Sequence, residues 1–114
     1  IMIIEVVNDM KNKYGEYKDS QISEYKKRLH VLVHWILKYK DSGDETTLNN
    51  YFDIVQFKLM GVNALFNYPP ELIEIMSLIE SAKQENMKKE NFNSKLFRSA
   101  ILDAHSLIDK LGGD

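Results

Sequence analysis

Apolar residues recur at steps of three and four along nearly the whole chain, in five stripes separated by turn signals. The first carries Ile3, Val7, Met10, Tyr14 and Tyr17, with Ile4 and Val6 beside it. Gly15 either ends this stretch or weakens its last helical turn by roughly 1 kcal/mol relative to alanine. The second spans about residues 20–40 and places Ile22, Tyr25, Leu29, Leu32, Val33, Ile36 and Tyr39 on one face. Its middle, Val31-Leu32-Val33 and Trp35-Ile36-Leu37, is apolar nearly all round and predicts a central helix buried on more than one side.

A polar turn, Lys40 to Asp44 with Gly43 as a helix stop, leads to a third stripe: Leu48, Tyr51/Phe52, Val55, Leu59, Val62 and Phe66. Gly61, inside that helix, is a place where a neighbouring helix can approach closely. Asn67-Tyr68-Pro69-Pro70 is the sharpest break. Proline disfavours helix in the residue before it, so Tyr68 and Pro69 are expected to be extended, with Pro70 opening the next helix. That fourth stripe holds Leu72, Ile73, Met76 and Ile79; after Ala82 the chain turns hydrophilic, and residues 83–93 read equally as exposed helix or loop. Ser94 or Asn93 caps a last helix with Phe97, Ala100, Ile101, Ala104, Leu107, Ile108 and Leu111 on its apolar face.

The expectation is an all-α fold: one domain over residues 1–114, an antiparallel bundle of four to five helices with residues 20–40 and 47–66 at its centre. The apolar surplus on the second and third stripes also allows a homodimer. Composition changes this picture only by exclusion. A formal charge of −2 gives no basis for broad nucleic-acid binding. Cysteine is absent, which excludes disulfides, thiolate metal sites and a cysteine nucleophile, and fits a cytoplasmic protein. No apolar run approaches the ~18 residues of a membrane span, and the opening, interrupted by Glu5, Asn8 and Asp9, does not read as a signal peptide.

Candidate chemistry is sparse, and no cofactor motif is present. His30 and His34 are four apart, hence on one side of a helix, a spacing at which two imidazoles share a metal. No third ligand lies at useful spacing, and the glutamate that a zinc-protease helix needs after the first histidine is missing, so both are expected on the flank of a crowded helix. Tyr68-Pro69-Pro70 is either a helix connector whose tyrosine folds back on the core or an exposed recognition corner, rigid and cheap to dock.

Arg98 and His105 lie two helical turns apart at the edge of an apolar stripe. Their spacing resembles the arginine–histidine motif of the HEPN superfamily, small helical bundles many of which are dimeric metal-independent ribonucleases. The resemblance implies an arginine that stabilises a pentacoordinate phosphate and a histidine that moves the 2′-hydroxyl proton. The chain departs from the family at Ser99, where Asn, Asp or His usually follows the arginine. The alternative is a surface Arg and His at the rim of the core, with Asp109 one turn on as partner. Separately, Asn63-Ala64-Leu65-Phe66-Asn67 followed by Glu71-Leu72-Ile73-Glu74-Ile75 resembles bacteriocin-immunity proteins of the enterocin A and pediocin type. That resemblance implies a cytosolic bundle protecting a bacterium from a membrane-active peptide. With no strong catalytic motif, the expected function is non-enzymatic: a small bacterial or phage-type protein that acts by binding another protein.

Overall fold

The computed structural model describes residues 11–12, 15–16 and 19–111. Four helices dominate: α1 (Asp19–Ser42), α2 (Glu45–Leu65), α3 (Pro70–Asn86) and α4 (Ser94–Ile108). They form an all-α bundle in which each helix packs on its neighbours in the cycle α1–α2–α3–α4–α1. Short links make successive helices antiparallel. The ring closes through α1 and α4, where Lys26 meets Asp109, His30 meets His105 and Asp41 meets Arg98. One index rises as the other falls, so this pair is antiparallel too.

The apolar residues of the first stripe lie outside the described residues. Within that stretch, β1 (Lys11–Asn12) and β2 (Gly15–Glu16) pair antiparallel, with Asn12 opposite Gly15. The expected helix therefore does not run through these four residues. The polar Lys11-Asn12-Lys13 run adds nothing to a buried stripe, and Gly15 costs a helix about 1 kcal/mol.

The stripes face one core. Leu29, Val33 and Ile36 from α1, Leu48, Phe52, Val55 and Leu59 from α2, Leu72, Ile75 and Ile79 from α3, and Phe97, Ile101 and Ile108 from α4 are all buried. Phe52 and Phe97 meet edge to face across the bundle, ring centres 6.2 Å apart. The backbones of α3 and α4 approach most extensively, along a seam where Ala82 and Ala104 are buried and small.

Each break has a local cause. Gly43, at φ 82°, takes the left-handed position after α1, and Asp44 caps α2 by accepting from the Thr47 N–H at 3.0 Å and its hydroxyl at 2.6 Å. The end of α2 is a Schellman motif. Asn67 sits at φ 66°, its N–H donating to Ala64 O at 3.2 Å, while the Tyr68 N–H donates to Asn63 O at 2.8 Å. Tyr68 itself is left-handed, at φ 56°, which corrects the expected extended conformation. Proline bars the right-handed helical region to its predecessor, and here the carbonyl-capping bonds of α2 select the left-handed alternative. Pro69 is extended and buried, and Pro70 opens α3 as expected. Helix α3 continues through the hydrophilic stretch to Asn86, and a loop over residues 87–93 leads to Asn93, whose side chain accepts from the Leu96 N–H. Glu85 anchors that loop: its carboxylate accepts from the Asn93 N–H at 2.7 Å and pairs with Lys88 at 2.9 Å.

Candidate functional site

Helix α1 presents two unlike flanks. The flank toward α4 is polar. His30 Nε2 lies 2.8 Å from Asp109 Oδ1, and His30 Nδ1 lies 3.0 Å from His105 Nε2. A carboxylate accepts only, so His30 Nε2–H donates to Asp109, and a second proton lies between His30 Nδ1 and His105 Nε2. His34, one turn on, places its ring 6.4 Å from that of His105, so all three histidines of the chain gather on this seam. Lys26 Nζ adds a bond to the backbone carbonyl of Asp109 at 2.9 Å. Partial burial first, then the neighbouring His30, holds the His105 pKa below the usual histidine value, against an upward pull from Asp109. No three His, Asp or Glu side chains among the described residues are arranged around one point where a metal ion would sit.

Arg98 occupies the same seam two turns away, where its guanidinium pairs with Asp41 near the end of α1. Arg98 and His105 thus share a face but have different partners. Asp109, offered by the alternative reading as a partner one turn on, bonds to His30 and also pulls the His105 pKa upward. The link between His30 and His105 spans 75 positions and is invisible to local spacing. What sequence offered was only that each lies on the edge of an apolar stripe, at an end where α1 and α4 run side by side.

The flank toward α2 and the outer face of α2 are apolar and open. Helix α1 was expected to be buried on more than one side; instead Val31 and Trp35 are exposed, because a four-helix ring has no central member. On α2, Ile54, Phe57 and Leu65 recur on the side opposite the core, with Met60 beside them, and all are exposed; Phe57 is 76% exposed. Gly61 lies in the same row, and nothing stands within 4 Å of the position its Cβ would take. Its missing side chain serves no contact inside the bundle. Between the helices runs a groove of about 320 Å³, floored by Leu29, Leu32 and Val62 and edged by Arg28, Lys58 and Leu65. Neither Arg28 nor Lys58 makes an ion pair among the described residues.

Tyr68 stands at the end of this α2 row and is 62% exposed, so of the two readings of the Pro corner the tyrosine does not fold back on the core. Pro69 is buried beneath it and Pro70 is committed to α3. Comparison with protein-family models, with curated proteins and with solved structures finds no match to this chain.

Proposed function

We propose that this protein acts by binding another protein through the α1–α2 face, and that the docked element is an amphipathic helix with acidic residues beside its apolar side. The observation that carries this is Phe57, a phenylalanine three-quarters exposed in mid-helix among Ile54, Met60 and Leu65. A soluble chain gains nothing from such a row unless something covers it. Three features favour a helix as the occupant. The groove between α1 and α2 runs along both axes, Gly61 leaves a notch for a close backbone or a bulky side chain, and Arg28 and Lys58, which make no ion pair among the described residues, border the groove. A partner carrying glutamates next to its leucines matches that border, in the helix-in-groove mode of recognition. Catalysis is not needed to account for any of these features.

The test uses a synthetic amphipathic helical peptide with leucines at i, i+3, i+4 and i+7 flanked by glutamates, and a second peptide with the glutamates changed to lysines. The acidic peptide should bind, and Phe57→Asp should weaken it at least tenfold. Equal binding of both peptides, or indifference to Phe57→Asp, overturns the reading. A dimer in sedimentation analysis that Phe57→Asp abolishes would instead assign the face to a second copy of the chain.

Ribonuclease activity is the second reading. It is favoured by one observation: Arg98 and His105 lie on a common seam, within two helical turns of each other. RNA cleavage unchanged in His105→Ala removes it.

A further inference from the structure

We infer that His30 and His105 form a two-nitrogen chelate for a divalent late transition metal of tetragonal preference, Cu²⁺ or Ni²⁺, with Asp109 as the outer carboxylate. This rests on the α1–α4 seam and is independent of the docking face. Two imidazole nitrogens from helices distant in sequence face each other at 3.0 Å. An ion bound to both nitrogens through bonds of about 2.0–2.1 Å holds them about 2.9–3.4 Å apart, and the hydrogen-bonded pair already lies in that range. Tetrahedral zinc sites take three or four protein ligands, whereas two imidazoles meet here among the described residues. Square-planar and tetragonal sites with nitrogen and oxygen ligands select Cu²⁺ and Ni²⁺ rather than tetrahedral Zn²⁺.

The rest of the arrangement is what such a ligand pair requires. Asp109 accepts from the far nitrogen of His30, at 2.8 Å, so in the neutral ring the lone pair is on Nδ1, the nitrogen that faces His105. A ligating histidine whose other N–H is held by a carboxylate is the recurrent outer-shell device of metal sites. On the other side, moving the His105 proton from Nε2 to Nδ1 exposes the second lone pair without changing any charge. Rotation of the two rings, now tilted by 51° to each other, would aim both lone pairs at one point beside the seam. His34 is exposed and its ring is 6.4 Å from that of His105, so it stays outside the chelate. Water would fill the remaining positions, since no third side chain among the described residues converges there.

The experiment titrates the intact protein with Ni²⁺ by calorimetry and with Cu²⁺ by electron paramagnetic resonance, at neutral pH. A 1:1 complex with two imidazole nitrogens coupled to the copper spin is expected. His30→Gln and His105→Gln should each lower affinity at least tenfold, and Asp109→Asn should lower it by about tenfold while the copper keeps both nitrogens. His34→Gln should leave affinity within about threefold. Far-ultraviolet circular dichroism of each variant separates ligand loss from unfolding, and the double variant His30→Gln/His105→Gln gives the background. Binding no tighter than that background overturns the inference. So does a His34→Gln loss equal to that of His105→Gln, or a preference for Zn²⁺ over both probe ions.

Discussion

The two flanks of α1 do different jobs with the same helix. Toward α4, the contacts are specific polar pairs at fixed heights: Lys26 with Asp109, His30 with His105 and Asp109, Asp41 with Arg98. Such pairs fix the direction and register of the two helices, because a slip of one turn would separate every one of them. Toward α2 one polar bond also fixes the register, the Tyr51 hydroxyl donating to the Leu32 carbonyl, while the surface beyond it is apolar and Val31, Trp35 and Phe57 remain in solvent. The difference teaches that polar pairs set the register where α1 packs on its neighbours, densely toward α4 and once toward α2, whereas the outer surface on the α2 side keeps its apolar side chains exposed.

The sharpest way to break the comparison is to remove what both flanks rest on. Phe52 of α2 is buried in the shared core and meets Phe97 of α4 edge to face across the bundle. Phe52→Ala should cost about 3–5 kcal/mol in urea denaturation and loosen both flanks together. Phe57→Asp probes the open flank alone. Its stability should stay within about 0.5 kcal/mol of the parent, because no packed contact is lost, so any binding defect is a surface defect. A large drop in its denaturation midpoint would mean that Phe57 is structural.

On the polar flank, Asp41→Asn removes one rung of the ladder. The pair is largely solvent-exposed, so the loss should be about 0.2–1 kcal/mol and should vanish in high salt. A control outside both flanks is Glu85, whose pKa is held below the usual glutamate value, first by the Asn93 N–H and then by Lys88. A depressed folded-state pKa means stability that is fully present above the unfolded value and is lost as pH falls through the folded one. Acid titration below about pH 4.5 should therefore destabilise the parent more steeply than Glu85→Gln. Parallel acid limbs would show that Glu85 contributes nothing through its charge.

How far the sequence revealed this follows from the range of each interaction. The helices of residues 19–108 were legible because burial imposes a period of 3.6 residues, and Gly43, Asp44, Asn93 and Pro70 mark their ends through local bonds. The hydrophilic end of α3 was not, since Lys83-Gln84-Glu85-Asn86 has no stripe of its own and is held by Glu85 reaching across the loop. The apolar surplus on the second and third stripes was visible, but not that it would lie outside rather than at the centre. The histidine seam was legible only in halves. His30 with His34, and Arg98 with His105, are each local spacings; their assembly depends on which helix faces α1, and that is decided by the closure of the ring. Tyr68 was misjudged because the steric rule for a residue preceding proline excludes one conformation without choosing between the others.

Tyr68 carries a consequence of its own. A left-handed backbone at a bulky residue costs about 1–2 kcal/mol that glycine would not incur. Tyr68→Gly should therefore hold the bundle together as well as the parent or slightly better, while deleting the ring at the end of the docking row. Under the proposed docking, folding and recognition ask for opposite residues at this one hinge, and selection for heat resistance alone would erase the aromatic first.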